Sequence, residues 1–212
     1  MKIYDQIIWD FNGTLLDDVQ TGIDSVNKLL CERGLGQITD KEHYRRVFRF
    51  PIIEYYRTLG FDFEREPYEA LAPLWVSLYL ENVKSAKVYP DVIDTLEFLR
   101  SIGVRQSVLS ATERAMLERQ LVDLKIGEYF DEVMGLDNIH AGSKLSLAYD
   151  WRARHEGERV LLIGDTDHDM ETARALGADC VLISRGHQSR EYLLSICDNV
   201  FDDLSIVRNI FL

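Results

Sequence analysis

Polar side chains with reactive atoms stand where apolar runs of this sequence stop. Asp10 ends the run "IIWD", and Ser110 ends the run "SVLS". Asp165 ends the run "LLIGD", with Asp169 four positions later, and Lys144 lies in the stretch "HAGSKLS". Carboxylate oxygens bind hard cations, whereas an ammonium and a hydroxyl hold anionic oxygens. Together these residue types predict a cation site beside an anionic ligand.

The elements that must position these residues alternate between strands and helices. After the first apolar run, segments typical of strands occur at 104–110, 159–165 and 179–184. Helical spacing is found at 90–102 and at 112–124, where Thr112 is a candidate N-cap. This alternation predicts an α/β fold with a Rossmann-like parallel sheet covered on both faces. Ligands of such sheets bind beyond the carboxyl ends of the strands, where these polar residues should meet.

The segment 17–86 has a different pattern. It shows no convincing strand and is interpreted as four helices, one opened by the capping box "TDKE" and another by Pro51. We expect a helical cap at 17–86 inserted into an α/β core formed by 1–16 and 87–212. The last residues predict a short strand followed by a helix.

The composition and net charge disfavour some classes of binding partner. The 212 residues are 46% hydrophobic and carry a net charge of −12, which disfavours nucleic acids and anionic membranes as partners. No apolar stretch is long enough to span a bilayer, and the N-terminus lacks a signal peptide, so a cytoplasmic location is expected. Three cysteines without metal spacing predict small core residues. His43, His140, His155 and His187 are expected at the surface or in loops.

The acidic residues predict Mg²⁺ in particular. If a helix begins just after Asp165, then Asp169 lies in its first turn, and both can converge with Asp10. Mg²⁺ prefers a few carboxylates and takes its other ligands from water and substrate. Gly13 and Thr14 free the backbone to turn, so that N–H groups can face an anion. Each residue taken singly also fits a helix cap, a turn or a solvated surface charge.

These motifs resemble those of the haloacid dehalogenase-like superfamily, in its phosphoglycolate-phosphatase-like branch. "DFNGTLLDD" is similar to the nucleophile motif DxDGT, "SVLSA" to the second motif, Lys144 to the third and "GDTDHD" to the fourth. The resemblance implies a phosphatase-type hydrolase with an inserted helical cap. It implies that Asp10 becomes a transient aspartyl-phosphate and that Mg²⁺ is held by Asp10, the carbonyl of Asn12, Asp165 and Asp169.

The resemblance also implies residues that hold the substrate. Ser110, Ala111 and Lys144 would bind phosphoryl oxygens, together with the turn at Gly13 and Thr14. The segment "RVFRFPIIEYYRTLG" is similar to a specificity segment of the cap, which makes three further residues candidates for substrate contact: Arg49, Tyr55 and Arg57. The expected ligand is a small phosphorylated metabolite, and the expected assembly is a monomer or a homodimer.

Asn12 departs from the family pattern, which has an aspartic acid at this position as general acid and base. An amide cannot transfer protons, although its backbone carbonyl can still bind a metal. Substrates with good leaving groups would explain the change, as would a substitute such as His168, or a weakly active protein that binds a phosphorylated ligand. The sequence equally allows an asparagine introduced by engineering. Dehalogenase-type chemistry at carbon is disfavoured by the Asp165 and Asp169 pair.

Overall fold

The protein, described from a computed structural model, is built on a parallel sheet. The structure describes residues 4–137 and 143–211, and His140 lies outside these residues. Six strands form the sheet in the order β5-β4-β1-β6-β7-β8, and a separate antiparallel pair joins β2 to β3. The strands are β1 (Gln6–Trp9), β2 (Leu16–Asp17), β3 (Lys87–Val88), β4 (Arg105–Glu113), β5 (Glu132–Leu136), β6 (Val160–Gly164), β7 (Asp179–Ile183) and β8 (Val200–Phe201).

Helices lie on both faces of the sheet because alternate strand residues point to opposite sides. Ile7 and Trp9 join one buried cluster with α5, α6 and α10, whereas Ile8 joins a second cluster with α7, α8 and α9. The helices are α1 (Val19–Glu32), α2 (Lys41–Val47), α3 (Ile52–Thr58), α4 (Tyr68–Asn82), α5 (Val92–Ser101), α6 (Arg114–Asp123), α7 (Leu145–Arg154), α8 (Asp167–Leu176), α9 (Arg190–Ile196) and α10 (Ser205–Phe211).

Helices α1–α4 form a layer with its own apolar core. The four predicted helices are confirmed, and they lie in the chain between β2 and β3, where it leaves and rejoins the sheet layer. Val19, Ile23, Val26 and Leu30 of α1 keep the spacing of one helix face and are buried in a third cluster with α2–α4. The helical layer therefore packs around its own cluster, separate from the two clusters of the sheet.

The structure corrects several local predictions. Strand β4 runs three residues past Ser110, because its register shifts between Leu109 and Glu113 and pairing resumes with β5, a strand that was not predicted. Thr112 is therefore a strand residue, and Glu113 caps α6 instead. Similarly, Asp40 rather than Thr39 caps α2. The predicted strand and helix near the C-terminus are confirmed as β8 and α10.

Two predictions about the environment of single residues are confirmed only in part. Cys180 and Cys197 are buried as predicted, but Cys31 is exposed on the outer side of α1. His187 was expected at the surface or in a loop; it lies in the loop after β7, but it is buried. No helix in the described ranges combines the length and the apolar character that a membrane crossing requires.

Candidate active site

Three buried carboxylates meet at the carboxyl ends of β1 and β6. Asp10 follows β1 directly, Asp165 follows β6, and Asp169 is the third residue of α8. One oxygen atom from each lies within 4.8 Å of the others. Their exposed fractions are 7%, 0% and 1%. The structure thus brings together the three acids that the strand-end rule selected.

Lys144 is the cation that faces this cluster. It precedes α7, and its Nζ lies 2.6 Å from Oδ1 of Asp10 and 2.5 Å from Oδ1 of Asp169. Asp10 and Asp169 together outweigh the effect of burial and raise the pKa of Lys144, so the side chain stays an ammonium. Three carboxylates against one ammonium leave an excess of negative charge inside the protein.

The pKa values of the three acids are not all shifted in the same direction. Burial, with repulsion from Asp169, raises the pKa of Asp10 well above its usual range. Burial also raises the pKa of Asp165, to about 6. For Asp169 the nearby Lys144 outweighs burial and lowers the pKa. A dication would offset the repulsion among these carboxylates, which adds to the effect of burial on the pKa values of Asp10 and Asp165. Mg²⁺ prefers hard oxygen donors, so the residues present fit that ion.

Each acid of the cluster is held by its neighbours. Oδ2 of Asp169 accepts hydrogen bonds from the backbone N–H groups of Asp165 and Thr166, at 3.0 and 2.9 Å, in a capping box that starts α8. Oδ1 of Asp165 accepts from the hydroxyl of Thr14 at 3.0 Å, and its Oδ2 accepts from the backbone N–H of His187 at 2.6 Å. The carboxylates are therefore fixed in position before any ligand binds.

The turn after β1 brings the backbone against these acids. Gly13 has a φ of 75°, and a Cβ there would lie 2.4 Å from Oδ2 of Asp165, so both the conformation and the space require glycine. The N–H of Gly13 donates to Oδ1 of Asp18 at 2.9 Å. This group was expected to face an anionic ligand, and in this structure it is already bound to a carboxylate.

Asn12 has all its amide atoms engaged. Its Nδ2 donates to Oδ2 of Asp18 at 2.8 Å and lies 2.8 Å from the hydroxyl of Tyr79. Its Oδ1 accepts from the hydroxyl of Thr112 at 2.8 Å and from that of Ser110 at 3.4 Å. The network thus fixes which way the amide points, with its donor side on a carboxylate and its acceptor side on hydroxyls.

Asp18 and His187 form a buried ion pair behind Asn12. Nε2 of His187 lies 3.3 Å from Oδ1 of Asp18, and their side chains are 10% and 2% exposed. The Asp18 charge outweighs burial and raises the pKa of His187 to about 9, while the imidazolium in turn keeps the pKa of Asp18 low. Tyr79 also donates to Asp18, at 2.8 Å. Asp18 is therefore charged at neutral pH.

Helix α2 attaches the helical layer to the loop after β7. The hydroxyl of Tyr44 lies 2.8 Å from Nδ1 of His187. Arg45 donates to the carbonyl oxygens of Gly186, at 2.8 Å, and of Arg185, at 2.5 Å. The helical layer therefore lies next to the carboxylate cluster, and its side chains line a partly open cavity there.

This cavity has a volume of about 160 Å³. One end is formed by the cluster, with Asp10, Lys144 and Asp165, and by Ser110 and Ala111 after it. The other end is formed mainly by aromatic and aliphatic side chains of the helical layer. A ligand that fills it would thus place one end against the charged cluster and the other among apolar side chains.

Comparison with known proteins identifies the family. The family model described as haloacid dehalogenase-like hydrolase matches residues 7–183. The chain belongs to this family. It is 25% identical over 189 residues to a phosphoglycolate phosphatase of Pseudomonas aeruginosa, covering 85% of this chain and 70% of that one. It is 29% identical over 188 residues to a phosphoglycolate phosphatase of Aquifex aeolicus, covering 85% of both.

Solved structures of the haloacid dehalogenase-like family have the same fold. A haloacid dehalogenase-like hydrolase from Streptococcus pneumoniae superposes with a TM-score of 0.82 at 24% identity, covering 99% of both chains. The predicted α/β fold and the resemblance to this family are confirmed, and so is the prediction of a phosphatase-type hydrolase. The residues that carried the resemblance are the ones that meet at the carboxyl edge of the sheet.

Some predicted ligand contacts lie away from the cavity. The guanidinium of Arg49 lies 3.7 Å over the ring of Tyr192 and donates to the carbonyl of Phe48 at 2.5 Å. Arg57 pairs with Glu54 at the surface. This arrangement gives no support to a substrate contact by either arginine. Tyr55, the third candidate of that segment, does line the cavity.

Sequence reasoning missed the ion pair beside Asn12. Asp18 is the second acid of "LLDD" and directly precedes α1, where an acid is ordinary and does not by itself indicate chemistry. His187 follows β7 within four residues, so the same inspection of strand ends would have found it. His168 lines the cavity, but burial lowers its pKa to about 4 and leaves it neutral. The missed residues are thus Asp18, which binds Asn12, and its partner His187, rather than the cluster itself.

Proposed function

We propose that this chain is a Mg²⁺-dependent phosphohydrolase that acts on a small phosphate monoester or anhydride through an aspartyl-phosphate on Asp10. The observation that carries the proposal is the cluster of Asp10, Asp165 and Asp169 within 4.8 Å, with Lys144 bonded to two of its members. Relatives named phosphoglycolate phosphatase support the same class of substrate. Phosphoglycolate itself is one candidate within that class.

In the proposed reaction, a carboxylate oxygen of Asp10 forms a bond to phosphorus while the bond from phosphorus to the leaving oxygen breaks. The electron pair of that bond stays on the leaving group, and water later cleaves the aspartyl-phosphate. Lys144 holds the phosphoryl oxygens and Ser110 donates to them. Asp10, Asp165, Asp169 and the carbonyl of Asn12 would hold Mg²⁺, which supplies positive charge against the phosphoryl oxygens when bound.

Asn12 supports a second candidate function, in which the protein binds a phosphorylated ligand and turns it over slowly. Its amide is fixed by Asp18, Tyr79, Thr112 and Ser110, and its N–H groups are not acidic enough to protonate a leaving group. A general acid or base usually contributes about 10²–10⁴-fold to a rate. The two candidates share the ligand class and differ in the rate of phosphate release.

Phosphate release from a panel of monoesters, anhydrides and acyl phosphates tests the proposal, with and without Mg²⁺. We expect release that requires Mg²⁺, incorporation of label from a ³²P-labelled substrate into the parent chain, and loss of both in Asp10→Asn. Ser195→Ala, on the exposed side of α9, is the matched control that keeps both. Full activity of Asp10→Asn would refute the mechanism. Mg²⁺-dependent ligand binding without release in the parent would favour the binding protein.

The helical layer at 17–86 is proposed to act as the cap of this site, over a core of 1–16 and 87–212. Its attachment through Tyr44 and Arg45 to the loop after β7 supports this role, since it holds the helical layer next to the carboxylate cluster. A cap of this kind excludes water from the reacting groups. A cytoplasmic location, a monomeric or homodimeric state, and the absence of nucleic-acid and membrane partners stay predictions from the sequence.

A further inference from the structure

The end of the cavity under the helical layer has a chemistry that phosphate binding does not use. We call it the aromatic pocket and define it by six residues from α3, α4, α6 and the connection between α2 and α3: Phe48, Phe50, Tyr55, Trp75, Val76 and Met116. Such side chains bind apolar groups, because removal of apolar surface from water is favourable. The whole cavity, which includes the part against the carboxylate cluster, has a volume of about 160 Å³, close to that of an apolar cavity of about 150 Å³ that holds benzene. The pocket is only part of this volume, so it has room for no more than a single ring.

The charges around the cavity disfavour an anionic leaving group. Among the described residues that line it, the cationic or titratable bases are Lys144, His168 and His187. Lys144 already binds two carboxylates and His187 is paired with Asp18. The ring of His168 lies against that of Phe50, and its Nε2 is 3.3 Å from the hydroxyl of Ser143. A carboxylate on the leaving group would be buried in the aromatic pocket without a cation, which is costly. The group that occupies this pocket is therefore neutral.

The asparagine at position 12 favours the same kind of leaving group. No proton comes from Asn12 to the departing oxygen, so a leaving group that is stable as an anion has the advantage. A phenol has a pKa of about 10, as in the tyrosine side chain, compared with about 15.7 for water. A phenolate therefore leaves without a general acid far more readily than an alkoxide does.

We propose that the substrate is the phosphate monoester of a small, neutral, single-ring phenol, whose ring occupies the aromatic pocket. This inference rests on the proposed function. An oxygen of Asp10 bonds to phosphorus as the bond to the phenolic oxygen breaks, and the electron pair stays on that oxygen. The phenolate then takes a proton from water, and a second water molecule releases phosphate from Asp10.

Binding of two unreactive analogues separates recognition of the ring from leaving-group ability. Benzylphosphonate and phosphonoacetate share a CH₂–PO₃ group and differ in carrying a phenyl ring or a carboxylate. By calorimetry of the full chain with Mg²⁺, we expect benzylphosphonate to bind at least tenfold more tightly. Equal or tighter binding of phosphonoacetate would overturn the proposal.

Variants of the aromatic pocket locate the ring. Trp75→Ala should weaken benzylphosphonate at least tenfold, and Met116→Ala, from a different helix, serves if that variant does not fold. Tyr149→Ala is the matched control, because Tyr149 is 60% exposed and lies outside the cavity lining. Equal affinities in the parent and in both pocket variants would place the ring elsewhere and overturn the proposal.

Turnover distinguishes failure of this inference from failure of the proposed function. We expect kcat/KM for phenyl phosphate to exceed that for 2-phosphoglycolate at least a hundredfold. A preference for 2-phosphoglycolate would overturn the inference and leave the phosphohydrolase intact. If neither ester nor acetyl phosphate releases phosphate with Mg²⁺, the proposed function fails, whereas the phosphonate comparison still decides the specificity of the pocket.

Discussion

Asn12→Asp places a carboxylate directly against Asp18. The amide nitrogen of Asn12 lies 2.8 Å from Oδ2 of Asp18, and an oxygen would take its place. At that separation, two unit charges repel by about 6 kcal/mol with an effective dielectric constant of 20, an upper limit because the side chains can rotate apart. Uptake of one proton relieves this repulsion, so at neutral pH the pair should share a proton, as close carboxylates do.

The sign of the pH dependence follows from the raised pKa of the pair. The folded variant binds a proton that the unfolded chain releases near pH 4, so its stability relative to the parent falls as pH rises above that value. The slope is about 1.4 kcal/mol per pH unit, or about 2.7 kcal/mol between pH 5 and pH 7. The positive charge of His187, which is paired with Asp18, offsets part of this repulsion.

Urea unfolding at pH 5, 6 and 7 in EDTA measures this effect in four proteins: the parent, Asn12→Asp, Asp18→Asn and the double variant. We expect the free energy of unfolding of Asn12→Asp to fall further below that of the parent as the pH rises. The difference in the free energy of unfolding between the double variant and Asp18→Asn should depend on pH much less, because Asp18 no longer carries a charge. If Asn12→Asp lowers the free energy of unfolding by the same amount at pH 5 and at pH 7, the reasoning is refuted.

Three further outcomes are expected from the same site. Millimolar Mg²⁺ should raise the Tm of the parent but not of Asp165→Asn, as measured by differential scanning fluorimetry. Lys144→Met should lower the free energy of unfolding in EDTA by about 3–5 kcal/mol, because two buried carboxylates lose their cation. The pKa of His187 is raised to about 9 from 6.5, so its stabilising effect is complete below pH 6.5 and lost towards pH 9. The stability advantage of the parent over His187→Gln should shrink across that window, and a constant difference would contradict the pairing with Asp18.

The sheet and the carboxylate cluster could be predicted because each follows from local patterns. Strands β1, β6 and β7 are apolar on both faces and end at a polar residue, so both their existence and their ends are visible in the sequence. Asp165 and Asp169 lie four residues apart across a helix start, which fixes their proximity. Parallel pairing then brings Asp10 to the same edge without further information.

The missed features depend on contacts between distant segments. Strand β5 was overlooked because "EVMGL" is short and only pairing with β4 reveals it. The extension of β4 past Ser110 depends on a register shift that the residues of β4 alone do not encode. Asp18 and His187 lie 169 positions apart, and each has an ordinary local explanation until the fold joins them. The amide at position 12 was seen as a loss, whereas its partners show it to be one member of a network.

The separation of the apolar clusters has a consequence for how such a protein can diversify. The aromatic walls of the cavity belong largely to the cluster of the helical layer, and the strands that carry Asp10 and Asp165 belong to the other two. Substitutions that reshape one wall need not disturb the packing beneath the reacting carboxylates. Substitutions in the helices can therefore change which compound binds, while the residues at the sheet edge keep the same chemistry.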